Sequence, residues 1–387
     1  MKPLSWCAIG LLLCSAALMT PSARGGPAEP KPRPKMEVVF TLDTTGSMSG
    51  LIEGAKRKIW SIVNQILSGK PTPEVKIGLV AYRDRGDEYI TQITPLTPDV
   101  DAVYAALTEL RANGGRDAPE SVNQALHEAV TKIEWCKDNK DTLKIIYLVG
   151  DAPPHMDYSD DVKYPETCRL AVANSILINT LQCGAMEGTG EIWQEIARLA
   201  EGQYAAIPAD GGAVAIATPF DEELARANAE LTHGTLLYGP REQQAADRRK
   251  LDLYAGDGFG GTSKIRGPAG PSAEVAAARA SAQAKAGRVA YYDFLDAVKE
   301  GRVNLKSVKE EELPEQLRKL SPQQREAKIR RLLAERQKLL QRIGKLGRKR
   351  DDYIASQQKK NKTPGDGFDE QVLGQLRSQA KRIGVKY

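Results

Sequence analysis

Asp43, Thr45 and Ser47 stand two residues apart in the run Asp43-Thr44-Thr45-Gly46-Ser47. A carboxylate followed by two hydroxyls is the oxygen-rich donor set that a hard divalent cation takes: Mg2+, or Ca2+ or Mn2+ in looser geometry. Two further acids are candidates for the same ion. Asp151 ends the apolar run Leu143 to Val149 at Gly150-Asp151, and Asp117 closes the loop Ala112-Asn113-Gly114-Gly115-Arg116-Asp117. Taken singly, each has a plain structural use. Ser47 or Ser49 would cap a helix, and Asp151 would be a turn residue before Pro153. Asp43 is harder to dismiss, because an acid terminating the apolar run Val38-Val39-Phe40 needs a partner. Five oxygen-bearing side chains from three loops would leave the sixth octahedral position to water or to a carboxylate brought by another protein.

The elements that must bring these loops together follow from periodicity. Between Met36 and Pro219, apolar strand-like runs alternate with longer helical stretches, the pattern of an α/β domain with a doubly wound, mostly parallel sheet and helices on both faces. Predicted strands are Met36 to Leu42, Val75 to Tyr82, Tyr89 to Ile93 as an antiparallel edge, Leu143 to Val149, Ser175 to Gln182 and Tyr204 to Ile207. Predicted helices run from about Gly50 to Leu67, Val100 to Leu110, Pro119 to Ile133, Pro165 to Ala173 and Gly190 to Leu199. Ile52, Ala55, Ile59, Ile62, Val63 and Ile66 recur along one face of the first helix. Pro119 suits the first position of the helix that follows the glycine loop. In such a sheet, carboxyl ends of strands and amino ends of the following helices share an edge, and ligands bind there.

With these residues in place, the sequence resembles the von Willebrand factor A domain family. The metal-ion-dependent adhesion site of that family opens with Asp-x-Ser/Thr-x-Ser and ends with an aspartate just after the fourth strand. Here those are Asp43-Thr44-Thr45-Gly46-Ser47 and Gly150-Asp151. The family commonly has a threonine as middle ligand, whereas this chain has Gly114-Gly115-Arg116-Asp117-Ala118-Pro119-Glu120, similar to the hemicentin-like and bacterial branch. The resemblance implies a Rossmann-like fold, metal ligands Asp43, Thr45, Ser47, Asp117 and Asp151, and binding without catalysis. A third carboxylate would neutralise more of the ion's charge, so an acidic partner group would be attracted less strongly and calcium would compete with magnesium.

A metal-assisted hydrolase would need a base or nucleophile beyond the ligands. The chain has three histidines. His127 falls within a helix and reads as a surface residue; His155, four residues after Asp151, is the only one near the ion. No phosphate-binding glycine loop with lysine follows any strand. Arg85-Gly86-Asp87 spells a tripeptide that integrins recognise, but three common residues in a charged hairpin need no such explanation.

Residues 1–26 place Lys2 before the apolar run Cys7 to Met19 and small residues around Ser22-Ala23, the layout of a secretory signal peptide rather than a membrane span. Residues 27–35 are a proline-rich linker, 36–220 the α/β domain, and 221–387 a basic helical region. Of the cysteines after the leader, Cys183 reads as a buried thiol, and Cys136 and Cys168 are the pair that could bridge. The chain nets +5. Residues 301–387 hold 23 lysines and arginines against 11 acids, so this part nets +12 and the rest −7. Predicted helices here are Glu222 to Leu237, Arg241 to Tyr254, Ala273 to Val298, Ser321 to about Ile354 and one short helix within Phe368 to Tyr387. Gly256 to Pro271 reads as a glycine-rich break. Leu332, Leu339 and Leu346 recur every seven residues, which suits a coiled coil or helical hairpin, with Gly344 and Gly347 weakening its middle.

Function therefore reads as an extracytoplasmic, secreted or periplasmic cation-dependent module whose protein partner presents an acidic side chain. The alternative is envelope attachment through the basic helices to an anionic component. No aromatic platform accompanies the basic residues, so nucleic acid is not an expected partner.

Overall fold

Eight of the nine residues of β1 (Lys35–Asp43) are buried, as a central parallel strand covered on both faces must be. The computed structural model describes residues 33–115, 118–210, 212, 216–254, 271–361 and 367–387. The leader, most of the linker, Arg116, Asp117 and nearly all of the glycine-rich break lie outside them.

After β1 come α1 (Ser49–Ile66), β2 (Glu74–Tyr82), β3 (Thr91–Thr97), α2 (Val100–Glu109), α3 (Val122–Thr131), β4 (Thr142–Gly150), α4 (Tyr164–Ala173), β5 (Ile176–Cys183), α5 (Thr189–Leu199) and β6 (Tyr204–Ile207). The six strands lie in the order β3-β2-β1-β4-β5-β6. All neighbours are parallel except β2 and β3. The chain builds outward from β1 in one direction and then returns to build from β4 in the other. The switch point between β1 and β4 therefore lies where Asp43 ends its strand and Asp151 follows the other.

Alternation along β1 divides the core. Met36, Val38, Phe40 and Leu42 face α1 and α2; Val39 faces the opposite side, where Val122 and Leu126 of α3, Cys168 of α4 and Trp193 of α5 pack. Pro119 does not begin α3. Residues 118–121 instead form a turn held to the loop after β4: Glu120 N–H donates to Pro153 O, and its carbonyl accepts from His155 N–H. The backbone groups that would start a helix are used across the loops.

The remaining helices are α6 (Asp221–His233), α7 (Arg241–Asp252), α8 (Ala273–Ala286), α9 (Phe294–Lys299), α10 (Glu315–Arg318), α11 (Pro322–Asn361) and α12 (Phe368–Ala380). The long helix expected from Ala273 to Val298 is broken. Gly287 takes a left-handed conformation at φ 65° and caps α8, and Asp293 caps α9 through its side chain. The alanines of α8 serve a helix covered on two sides: Val275, Ala278 and Ala282 join the core under α1, while Ala277 and Ala280 pack with α6 and α11. The heptad stripe of α11 is consumed within the chain. Ile343 and its half-buried neighbours Leu339, Leu340 and Leu346 lie against α6 and α8, and Ile329 lies in the cluster of Phe294 and Leu317. Gly347 does not weaken this contact but permits it, since a Cβ there would stand 2.9 Å from Ser281 Oγ.

Arg33–Tyr387 pack as one unit. In particular, α12 returns to the sheet: Phe368, Val372 and Leu376 join the core of Phe40 and Tyr147, and Tyr147 donates from its hydroxyl to Val372 O at 2.9 Å. Lys70 and Lys386 form a short antiparallel bridge near the end of the chain. Cys136, Cys168 and Cys183 are all free thiols, which corrects the expected pairing option. Cys183 is fully buried. Among the described residues, no helix is long and apolar enough to cross a membrane.

Candidate cation site

The end of β1 folds back on itself. Asp43 Oδ1 accepts from the backbone N–H of Thr45 at 2.8 Å and from its hydroxyl at 2.7 Å, and Thr45 Oγ1 lies 3.3 Å from Ser47 Oγ. These three residues form one cluster, with Asp43 and Thr45 buried and Ser47 exposed. Thr44 points the other way: its hydroxyl donates to Tyr82 O at 2.9 Å and meets Tyr89 Oη at 2.7 Å.

Asp43 Oδ2 and Tyr82 Oη are both buried, and neither has a hydrogen-bond partner among the described residues. A Cβ on Gly150 would stand 2.4 Å from Tyr82 Oη and 3.1 Å from Asp43 Oδ2, so only glycine admits this approach. The next residue, half-buried Asp151, comes from β4 and raises the Asp43 carboxyl electrostatically. Gly46 N–H donates to Gly114 O and Asn113 N–H to Thr44 O, which brings the glycine loop to the same edge. Thus Asp43, Thr45, Ser47 and Asp151 gather there. Asp117 lies outside the described residues. Among those residues, no three His, Cys, Asp or Glu side chains stand close enough to hold a metal by themselves. Two of the expected donors, however, are hydroxyls.

Three acids that the motif did not single out join the edge. Glu120 is buried, and its Oε2 has no hydrogen-bond partner among the described residues. Asp87 accepts from Gly115 N–H at 3.1 Å. Asp84 accepts from Ser121 Oγ at 2.7 Å and Tyr158 Oη at 2.9 Å. Burial, together with repulsion from Asp151 and Asp87, pushes the Asp43 carboxyl up to about 7 against the pull of Thr45. Burial, then repulsion from Asp43, Asp84, Asp87 and Asp151, pushes Glu120 up to about 9. A divalent cation at this edge would favour the ionised carboxylates. Sequence signals for these acids existed in the charged turn after β2 and in the Pro-Glu pair, but nothing in their spacing joined them to Asp43.

Glu120 also yields a test. Its carboxyl keeps a proton up to about pH 9 in the fold but ionises near 4.5 when unfolded, so it weakens the cation-free fold as pH rises between those values. Glu120→Gln has no proton to lose. It is expected to raise the cation-free thermal midpoint at neutral pH, with the gain vanishing below about pH 4; a lowered midpoint at neutral pH would contradict this.

His155 stacks on Tyr158 with ring centroids 4.0 Å apart. Its Nδ1 lies 2.8 Å from Asp157 Oδ1 and its Nε2 3.4 Å from Asp84 Oδ2. Arg85 lies over the other partner of that stack, 4.0 Å from the Tyr158 ring centroid, and pairs with Asp160 and Asp161. The Arg85-Gly86-Asp87 tripeptide is thus engaged in holding loops together. His127 is half-buried rather than a surface residue.

The von Willebrand factor A domain family matches residues 37–218. The rat von Willebrand factor A domain-containing protein 7 is 35% identical over 121 residues, which are 31% of this chain and 12% of that protein. This chain therefore spans only a small part of that relative. Among solved structures, the SpRpn10 VWA domain is similar at 17% identity, covering 46% of this chain and 89% of that one with a TM-score of 0.35. Proximal thread matrix protein 1 from the mussel byssus is similar at 12% identity, covering 46% and 43% with a TM-score of 0.34. The paired motifs, the strand order and the family match lead to one assignment: residues 37–218 are a von Willebrand factor A domain.

Proposed function

We propose that this domain is a non-catalytic, divalent-cation-dependent protein-binding module that works outside the cytoplasm. Asp43, Thr45, Ser47, Asp117 and Asp151 would supply oxygens to one Mg2+, or to Ca2+ or Mn2+, and an acidic side chain of the partner protein would take the remaining position. The observation that carries this reading is Asp43 Oδ2, buried at the switch point with no hydrogen-bond partner among the described residues, while Asp151 and Asp87 stand near enough to raise its carboxyl. Buried polar atoms are rarely left unpaired, and a cation at this edge would satisfy that oxygen. The cation supplies charge and an open coordination position; the chain's own part is orientation, with Thr45 holding Asp43 Oδ1 and Gly150 giving Oδ2 its space. The membrane-export layout of residues 1–26 supports the location.

Capture of envelope proteins by the immobilised full chain tests this reading. Capture is expected in magnesium or calcium, with a loss of at least about tenfold in chelator or with Asp43→Ala, the size of effect that loss of one charged anchor gives. Equal capture in chelator, with the folded variant retaining it, would reject cation dependence. A second reading, attachment to an anionic envelope component through the basic helices, is supported by exposed Arg330, Lys338 and Lys349 on α11. It expects residues 221–387 to govern attachment whether or not cation is present.

A further inference from the structure

Between Arg330 and Arg350, α11 carries nine basic residues and one acid, Glu335. Four of the nine have acidic partners: Arg331 pairs with Glu335, Arg336 with Asp293, Arg342 with Glu223 and Arg350 with Asp221. The other five, Arg330, Lys338, Lys345, Arg348 and Lys349, are exposed and make no ion pair among the described residues. At about 3.6 residues per turn these five fall within about 100° of one another around the helix and along about 29 Å of its axis. Exposed Glu326 and Asp352 lie beyond the two ends of this row. Lys345 has Arg348 three residues on and Lys349 four residues on, the spacings at which like charges repel and weaken a helix. An anion from outside would relieve that repulsion.

Two features narrow the ligand. Among the described residues, no exposed large apolar side chain lies on α11, so nothing along the row would stack on a base or enter lipid tails. The row is also narrow. On its α6 side, Arg342 is held by Glu223 and acted on electrostatically by Glu230, so a flat anionic bilayer would meet acids where a thin chain lying along α11 would not. Lys345, Arg348 and Lys349 stand within about 6 Å of the axis, which suits a polymer whose charges are closely set.

We propose that this row binds a linear, base-free phosphate polymer laid along α11, its phosphates paired with the five cations. The proposal rests on the second reading above, attachment through the basic helices, and gives that attachment a surface and a ligand. Its affinity comes largely from released counterions and therefore depends on salt.

Fluorescence anisotropy of labelled inorganic polyphosphate, titrated with the full chain, tests this. The logarithm of the binding constant is expected to fall against that of salt with a slope of about −3.5, five contacts at about 0.7 each. Lys345→Gln with Lys349→Gln is expected to weaken binding at low salt by at least about tenfold and to make the slope shallower by about 1.4. Arg241→Gln with Arg248→Gln, at exposed positions of α7, removes the same charge away from the row. It is expected to leave affinity within about twofold in moderate salt, where distant charges are screened. Equal losses from the two double variants, no measurable polyphosphate binding, or equal binding of single-stranded DNA or phosphatidylglycerol vesicles would overturn the proposal. If attachment of the full chain to the envelope survives Lys345→Gln with Lys349→Gln, the attachment reading stands and this row is overturned as its site.

Discussion

Arg279→Ala is expected to destabilise the protein by about 3–5 kcal/mol, the cost of breaking a buried ion pair from one side. Arg279 is fully buried, and its guanidinium donates to both oxygens of Asp101 at 2.9 Å. It also donates to Asn228 Oδ1 at 2.9 Å and lies 4.1 Å from the Tyr254 ring centroid. Burial pushes the Asp101 carboxyl up, but Arg279 and the hydroxyls of Tyr292 and Tyr254 hold it below the ordinary carboxylate range. Alanine would leave that carboxylate buried without its cation. Because Asp101 is on α2 and Arg279 on α8, the loss falls on the contact between the sheet layer and the helices added to it. Urea unfolding should show a lower midpoint for Arg279→Ala and Asp101→Asn, while the double variant Arg279→Met with Asp101→Leu should recover most of the loss, since neither charge is then orphaned. A single-variant change below about 1 kcal/mol would show that the pair is a surface-like contact despite its burial.

The second large effect is a reversal by magnesium of pH-dependent destabilisation. Asp43 ionises near 3.8 in an unfolded chain and at about 7 in the fold. Between those values the folded state holds more protons than the unfolded one, so cation-free stability falls as pH rises and levels off above about 7. The difference corresponds to a loss on the order of 4 kcal/mol. Glu120 adds a loss of the same sign over its own window. A cation binds the ionised carboxylate, so its apparent affinity should rise through this range by up to about tenfold per pH unit. Thermal unfolding in chelator should therefore give a lower midpoint at about pH 8 than at about pH 5, with magnesium restoring far more at the higher pH. Equal magnesium effects at both values, or a cation-free midpoint rising with pH, would exclude this coupling.

Much of this architecture was legible because uninterrupted apolar runs such as Leu143 to Val149 have few alternatives to a buried parallel strand. The Asp43-Thr44-Thr45-Gly46-Ser47 turn could likewise be read directly, since its donors are close in sequence. What was not legible depended on distant partners. Residues 118–121 lose their expected helix to hydrogen bonds with Pro153 and His155. The alanine-rich stretch stops at Gly287, where a left-handed turn sends the chain back toward Asp296. Gly347 looked like a flaw in a heptad stripe until Ser281 of α8 stood against it. Asp84, Asp87 and Glu120 enter the site through loops that sequence spacing does not connect, and α12 reaches the sheet from nearly the far end of the chain. Local chemistry was readable; long-range pairing was not.

The cation site itself is tested most directly by crystals of the full chain grown with manganese, using the metal's anomalous scattering. The expected result is one strong peak within coordination distance of Ser47 Oγ, Thr45 Oγ1 and a carboxylate oxygen of Asp43 or Asp151, directly or through one water. No peak at that edge while manganese binds elsewhere, or a peak there fully enclosed by the chain's own ligands with no position open to a partner, would contradict it.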